Sequence, residues 1–83
     1  MSVKQEERKK AVNGLFDYIK SECAKSQDGT AEPGILSRYS YEKGVSLRTL
    51  SEYFAVIRNA RLITHKYIEE KGGWRWAITP EVS

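Results

Sequence analysis

The sequence has one cysteine, one histidine, two prolines and no long apolar run in its 83 residues. A lone Cys23 cannot form an internal disulfide, which is the usage expected in a reducing compartment, and a cytoplasmic location is the expectation. Cys23 and His65 fall short of a four-ligand zinc site, and no CxxC or HxxxH spacing occurs. The carboxylates show no acid–base arrangement, the single histidine has no nucleophile beside it, and there is no glycine-rich phosphate cradle. These absences argue against an enzyme and against a metal or other cofactor. No apolar stretch suits a bilayer-spanning helix, and none follows Met1–Arg8 that would serve as the core of a signal peptide. No membrane partner is expected, and the length leaves no room for a separate sensor domain that would take a small-molecule ligand.

Hydrophobic residues at 40% and charged residues at 30% instead describe a soluble globular chain. The length fits one domain over residues 1–83, burying roughly 60–65% of the surface that its unfolded form exposes. The net charge of +3 is modest, but it is unevenly spread. Arg38, Lys43, Arg48, Arg58, Arg61, Lys66, Lys71 and Arg75 face only Glu42, Glu52, Glu69 and Glu70 in the second half, while the rest of the chain is slightly acidic. Either the basic half meets a polyanion, or the asymmetry is incidental.

Val12, Leu15, Phe16, Ile19 and Cys23 form one stripe of a helical period, predicting a first helix over about residues 6–24 with a charged first turn that frays. Gly14 within it weakens the helix by about 1 kcal/mol relative to alanine and suits close approach of a neighbour. Ser26–Gly34 reads as loop throughout, with Pro33 suited to the first turn of the next helix. A short helix over 35–43 places Ile35, Leu36 and Tyr39 inward and stops at Gly44, which tolerates the left-handed conformation. Ser46 caps a third helix over 46–60 whose inner stripe is Leu47, Leu50, Phe54 and Ile57, with Tyr53 beside it. From Leu62 the period falls to two. A hairpin over 62–79 turns at Glu70-Lys71-Gly72-Gly73 and ends before Pro80.

A helix-turn-helix needs a small residue where its helices cross, a left-handed turn position, and buried anchors that leave the second helix's outer face free. Ser40, Gly44, Val45, Leu50 and Tyr53 supply these. The run Gly44-Val45-Ser46-Leu47-Arg48-Thr49-Leu50, continuing to Leu62-Ile63, resembles the "G-V-S-x-x-T-L" opening of recognition helices in winged helix-turn-helix transcription regulators, of the small stand-alone prokaryotic, archaeal or viral type. The resemblance implies an α+β fold, three helices followed by a C-terminal β-hairpin wing, and covers about half the chain directly. Three departures stand out: Ser40 where alanine is commoner, Lys43 where an apolar residue is usual, and Arg61 where glycine usually ends the helix. The second implies that the second helix ends early, and the third assigns helix termination to Asn59 or a tightened last turn.

The resemblance also implies double-stranded DNA as partner, with Ser46, Arg48, Thr49, Ser51 and Glu52 on the outward face of the third helix. Arg48 suits guanine O6 and N7 or a phosphate, and the hydroxyls suit phosphates or base edges. Glu52 either accepts from cytosine N4 or balances local charge, and Leu47 meets either a thymine methyl or the wing. Arg38 and Lys43 in the second helix, with Lys66, Lys71 and Arg75 in the wing, complete the candidate contacts. Lys71 at the tip reaches flanking phosphates or a minor groove, or simply keeps the turn solvated. Trp76 is expected to close the core over the first helix, while Trp74 is half exposed, for DNA or for self-association. Tyr39, Tyr41, Tyr53 and Tyr67 read as core-edge residues, with Tyr41 also placed to offer its hydroxyl to a phosphate.

Two functions remain open. A sequence-specific transcriptional regulator would pair as a homodimer over two half-sites, through the first helix or the C-terminal strand. A protein-interaction winged helix in a transcription or replication assembly would use the same fold as an adaptor. Arg48, Thr49 and Ser51 favour the first, and Leu47, Glu52 and Val56 keep the second.

Overall fold

A buried two-residue strand in the connection between the first two helices pairs with the last strand of the hairpin. In the computed structural model, which describes residues 3–80, the order is α1 (Val3–Lys25), β1 (Thr30–Ala31), α2 (Ile35–Lys43), α3 (Leu47–Asn59), β2 (Ile63–Ile68), a 3-10 turn (Glu69–Lys71) and β3 (Gly73–Ile78). The fold is α+β: three helices and a three-stranded antiparallel sheet in the order β1-β3-β2. β1 lies within the segment expected to be loop, and pairs Thr30 with Ala77 and Ala31 with Trp76. Both β1 residues are buried, so the sheet rather than local propensity fixes their conformation.

The core follows the predicted stripes. Leu15, Ile19 and Cys23 of α1 meet Ile35 of α2, Leu50, Phe54 and Ile57 of α3, and Ile63 of β2, all buried. Complete burial of residues such as Leu15, Ile19, Leu50 and Ile57 contributes about 1.5–3 kcal/mol each. Val12 and Phe16 pack at the edge. α1 is longer than expected at its start, since residues from Val3 are helical, and Glu6–Lys10 lie exposed. Among the described residues no helix is long and apolar enough to cross a membrane.

Several local expectations are corrected. Pro33 precedes α2 rather than opening it, because Gly34 is the capping residue and Ile35 N–H bonds Glu32 O at 3.1 Å. Leu47 sits on the edge of the α3 stripe and is 48% exposed, not buried. Arg61 itself, not Asn59, takes the left-handed conformation at φ 60°, after a last turn of α3 that tightens as the other expectation had it. Its N–H bonds Arg58 O at 3.0 Å, and its carbonyl accepts from Thr79 Oγ1 at 2.7 Å, so the residue that follows β3 holds the strained one. The hairpin connection is the 3-10 turn closed by Gly72 at φ 70°, while Gly73 already belongs to β3.

Candidate nucleic-acid interface

The α2–α3 corner is built from four consecutive devices. α2 runs through Lys43 and does not end early; Gly44 closes it at φ 69° with its N–H on Ser40 O at 2.9 Å. Ser40 Oγ donates to Val45 O at 2.5 Å, a bond that alanine, the commoner residue, cannot make. Ser46, extended at φ −64° and ψ 147°, accepts Thr49 N–H at 3.2 Å on its Oγ and so caps α3. The same hydroxyl donates to Thr49 Oγ1 at 2.9 Å. Ser46 and Thr49 are therefore partly spent on the cap, although Ser46 stays exposed.

Burial of Leu50, Phe54 and Ile57 turns the opposite face of α3 to solvent. Arg48, Ser51 and Glu52 are exposed there, with Lys43 exposed just across the turn. No acid occupies the first turn of α3, and Arg48 makes no ion pair among the described residues, even with Glu52 one turn on. A cation at a helix N-terminus opposes the helix dipole by about 0.3–1 kcal/mol. An anion seated at that end would reverse the sign.

On the wing, Lys66 of β2 lies directly opposite Arg75 of β3. Like charges in this cross-strand position repel. Lys66 Nζ makes only a loose contact with Asp28 O at 3.5 Å, and Arg75, half-buried, makes no ion pair among the described residues. Two of the predicted contact residues are committed elsewhere. Arg38 is bound to Glu22 and Glu32 and donates from Nε to Tyr18 Oη at 3.0 Å, which fastens α2 to α1. Lys71 pairs with Asp28 at 2.8 Å. That ammonium, with hydroxyls of Ser26 and Thr30, holds the Asp28 carboxyl well below the usual carboxylate range.

Comparison of the chain with protein-family models, with curated proteins and with solved structures finds no match. The geometry therefore stands alone.

Sequence reasoning overlooked several features of this surface. Arg58 and Arg61 add two exposed cations at the far end of α3. Tyr41 and Tyr67, expected at the core edge, are 91% and 54% exposed, whereas Tyr39 and Tyr53 are half-buried. Trp76 packs against the core, as expected, and meets Phe54 of α3 edge-on at 5.1 Å between ring centres. Trp74 is 63% exposed. β3 is the central strand at Ala77 and Trp76, with β1 on one side and β2 on the other, so it offers no free edge there for pairing with a second copy. Period-two alternation marked which residues share a sheet face but not where the helices stop covering it.

Proposed function

We propose that this chain is a winged helix-turn-helix domain that binds double-stranded DNA as a transcriptional regulator. α3 enters the major groove and the β2–β3 wing lies on flanking backbone or in the minor groove. The observation that carries the reading is the placement of cations where the fold itself disfavours them. Arg48 stands at the positive end of α3, and Lys66 stands opposite Arg75 on the wing. A polyanion that reaches either place relieves the repulsion there. The element order, in which a short strand between α1 and α2 joins the wing, is compatible with a winged helix layout. Short hydroxyl side chains and Arg48 on the outer face of α3 suit base edges and phosphates.

Titration of duplex DNA of random sequence across a salt series tests the reading. Wild type should bind weakly and lose affinity steeply with salt. Arg48→Ala and Arg75→Ala should each reduce the slope of log affinity against log salt by about one. Absence of binding at low salt in a folded protein would remove DNA from the account.

One observation favours the second reading, a winged-helix adaptor. Leu47, on the first turn of α3, and Val56, near its end, are 48% and 40% exposed. A partner that covers α3 through these residues would compete with DNA for the same helix, and Leu47→Asp would abolish its binding.

A further inference from the structure

One face of the β2–β3 hairpin carries Ile63, His65 and Tyr67 opposite Ile78, Trp76 and Trp74. The innermost pair, Ile63 and Ile78, packs in or against the core, and Trp76 meets Phe54 edge-on. Outward from there the rings are continuous. His65 lies over Trp76 at 3.7 Å between centres with 30° between planes, Trp74 is 5.8 Å from His65, and Tyr67 meets Trp74 edge-on at 5.4 Å. Trp74 and Tyr67 at the outer end are 63% and 54% exposed. The ladder thus starts on a fixed core ring and ends in solvent, with no aliphatic side chain in its exposed part.

We propose that this outer end, centred on Trp74, is a stacking platform for an unpaired nucleobase. The chain would then prefer DNA whose pairing is interrupted beside the site that α3 and the wing occupy; this rests on the DNA-binding reading above. Planar rings held at fixed spacing offer π-faces, and the ligand that gains most from a π-face is another flat ring. Lys66 and Arg75 on the reverse face of the same strands supply attraction for the phosphate chain. Glu69 and Glu70 in the adjoining turn disfavour a phosphate at the tip itself, and a base is the uncharged part of a nucleotide. In a regular duplex the base faces are covered by their neighbours, and only their edges reach the grooves. A face becomes available at a strand end, a mismatch or an extruded base, where the unstacking cost is already met.

The sequence contains only two tryptophans, Trp74 and Trp76, so intrinsic fluorescence reports on the platform directly. The probes are a blunt duplex, the same duplex with a short central bubble of mismatches, and single-stranded oligothymidine. Wild type is expected to bind the bubble duplex about 5- to 150-fold more tightly than the blunt one, the range expected of one stacked base. Trp74→Leu, at an exposed position, should bind the bubble and blunt duplexes with equal affinity, and Trp74→Phe should keep most of the preference. Equal affinity of wild type for bubble and blunt duplexes overturns the platform while leaving duplex binding intact. So does a preference that survives Trp74→Leu. Failure to bind any probe overturns the DNA-binding reading as well. A wild-type dimer in sedimentation that Trp74→Leu converts to monomer assigns the ladder to contact between copies and also overturns the proposal.

Discussion

The Lys71 ammonium in the wing's turn lies 2.8 Å from the Asp28 carboxylate in the connection between α1 and β1. Asp28 also accepts from Ser26 Oγ at 2.6 Å, from Thr30 Oγ1 at 2.5 Å and from Thr30 N–H at 3.1 Å. One carboxylate thus organises the entry to β1 and tethers the wing. Its folded-state pKa is lowered, chiefly by Lys71, so its contribution to stability is complete above the unfolded value of about 4 and is lost as pH falls through and below that value. Thermal unfolding followed from neutral pH into acid should show wild type more stable than Asp28→Asn at neutral pH. The two curves should converge as pH drops below about 4. A difference that stays constant with pH would show that the carboxylate charge plays no part.

The same pair sets what Lys71 can contribute to the proposed DNA binding. A lysine already neutralised within the protein releases fewer counterions when it meets a phosphate. Asp28→Asn should therefore steepen the salt dependence of duplex binding by about one in slope. Lys71→Ala in the wild-type background should change it less than Arg75→Ala does. The reverse order would mean that Lys71 exchanges Asp28 for phosphate without penalty.

Arg38 and Arg48 separate stability from binding. Arg38 joins Glu22, Glu32 and Tyr18 between α1 and α2, and is partly exposed, so Arg38→Ala should lower stability by about 1 kcal/mol and leave the salt slope of DNA binding unchanged. Arg48→Ala should do the opposite, with stability equal to wild type or slightly higher, because a cation is removed from the positive end of α3. Denaturant titration and the salt series on the same two variants check this.

What the sequence disclosed was local. Leu15, Ile19 and Cys23, and Leu50, Phe54 and Ile57, announce their helices by spacing, and Gly44 announces the turn by its chemistry. What stayed hidden depends on partners far along the chain. Thr30 and Ala31 sit among turn formers and become a strand only through Ala77 and Trp76; a β-branched residue beside a small apolar one was the faint signal available. Arg38 and Lys71 looked like free cations because nothing in a linear pattern reveals that Glu22 and Asp28 reach them. Leu47 fits the inner stripe by counting, yet a stripe's edge is buried only as far as the neighbouring element extends. Arg48, Ser51 and Glu52 were readable as outward because their burial depends on the helix period alone.

The backbone at the end of α3 gives a stability test. Arg61 holds φ 60° although it carries a side chain, a conformation that disfavours an L-residue by about 1 kcal/mol or more. Glycine takes it freely but has more to lose on folding, so Arg61→Gly should stabilise the protein by about 0.5–1 kcal/mol. Gly44→Ala, at φ 69° with open space where the added carbon would lie, should destabilise by about 1 kcal/mol from backbone strain alone. Loss of stability in Arg61→Gly would place the Arg61 side chain in an interaction worth more than its strain.

Cys23 reports on opening of the whole core. Its side chain is buried on α1, its Sγ–H points to Trp76 O at 3.9 Å on β3, and burial pushes the thiol pKa up. Reaction with an aromatic disulfide reagent requires the thiolate, so the folded protein should react far more slowly than the same chain in denaturant. When reclosing outpaces labelling, the native rate follows the population of the open form rather than the reagent's access to a surface. Arg61→Gly should then slow labelling by about 2- to 5-fold, the factor equivalent to about 0.5–1 kcal/mol, and Gly44→Ala should speed it about 5-fold. Labelling at equal rates in all three proteins would mean that Cys23 is reached by a local movement of α1 against β3 that leaves α3 in place.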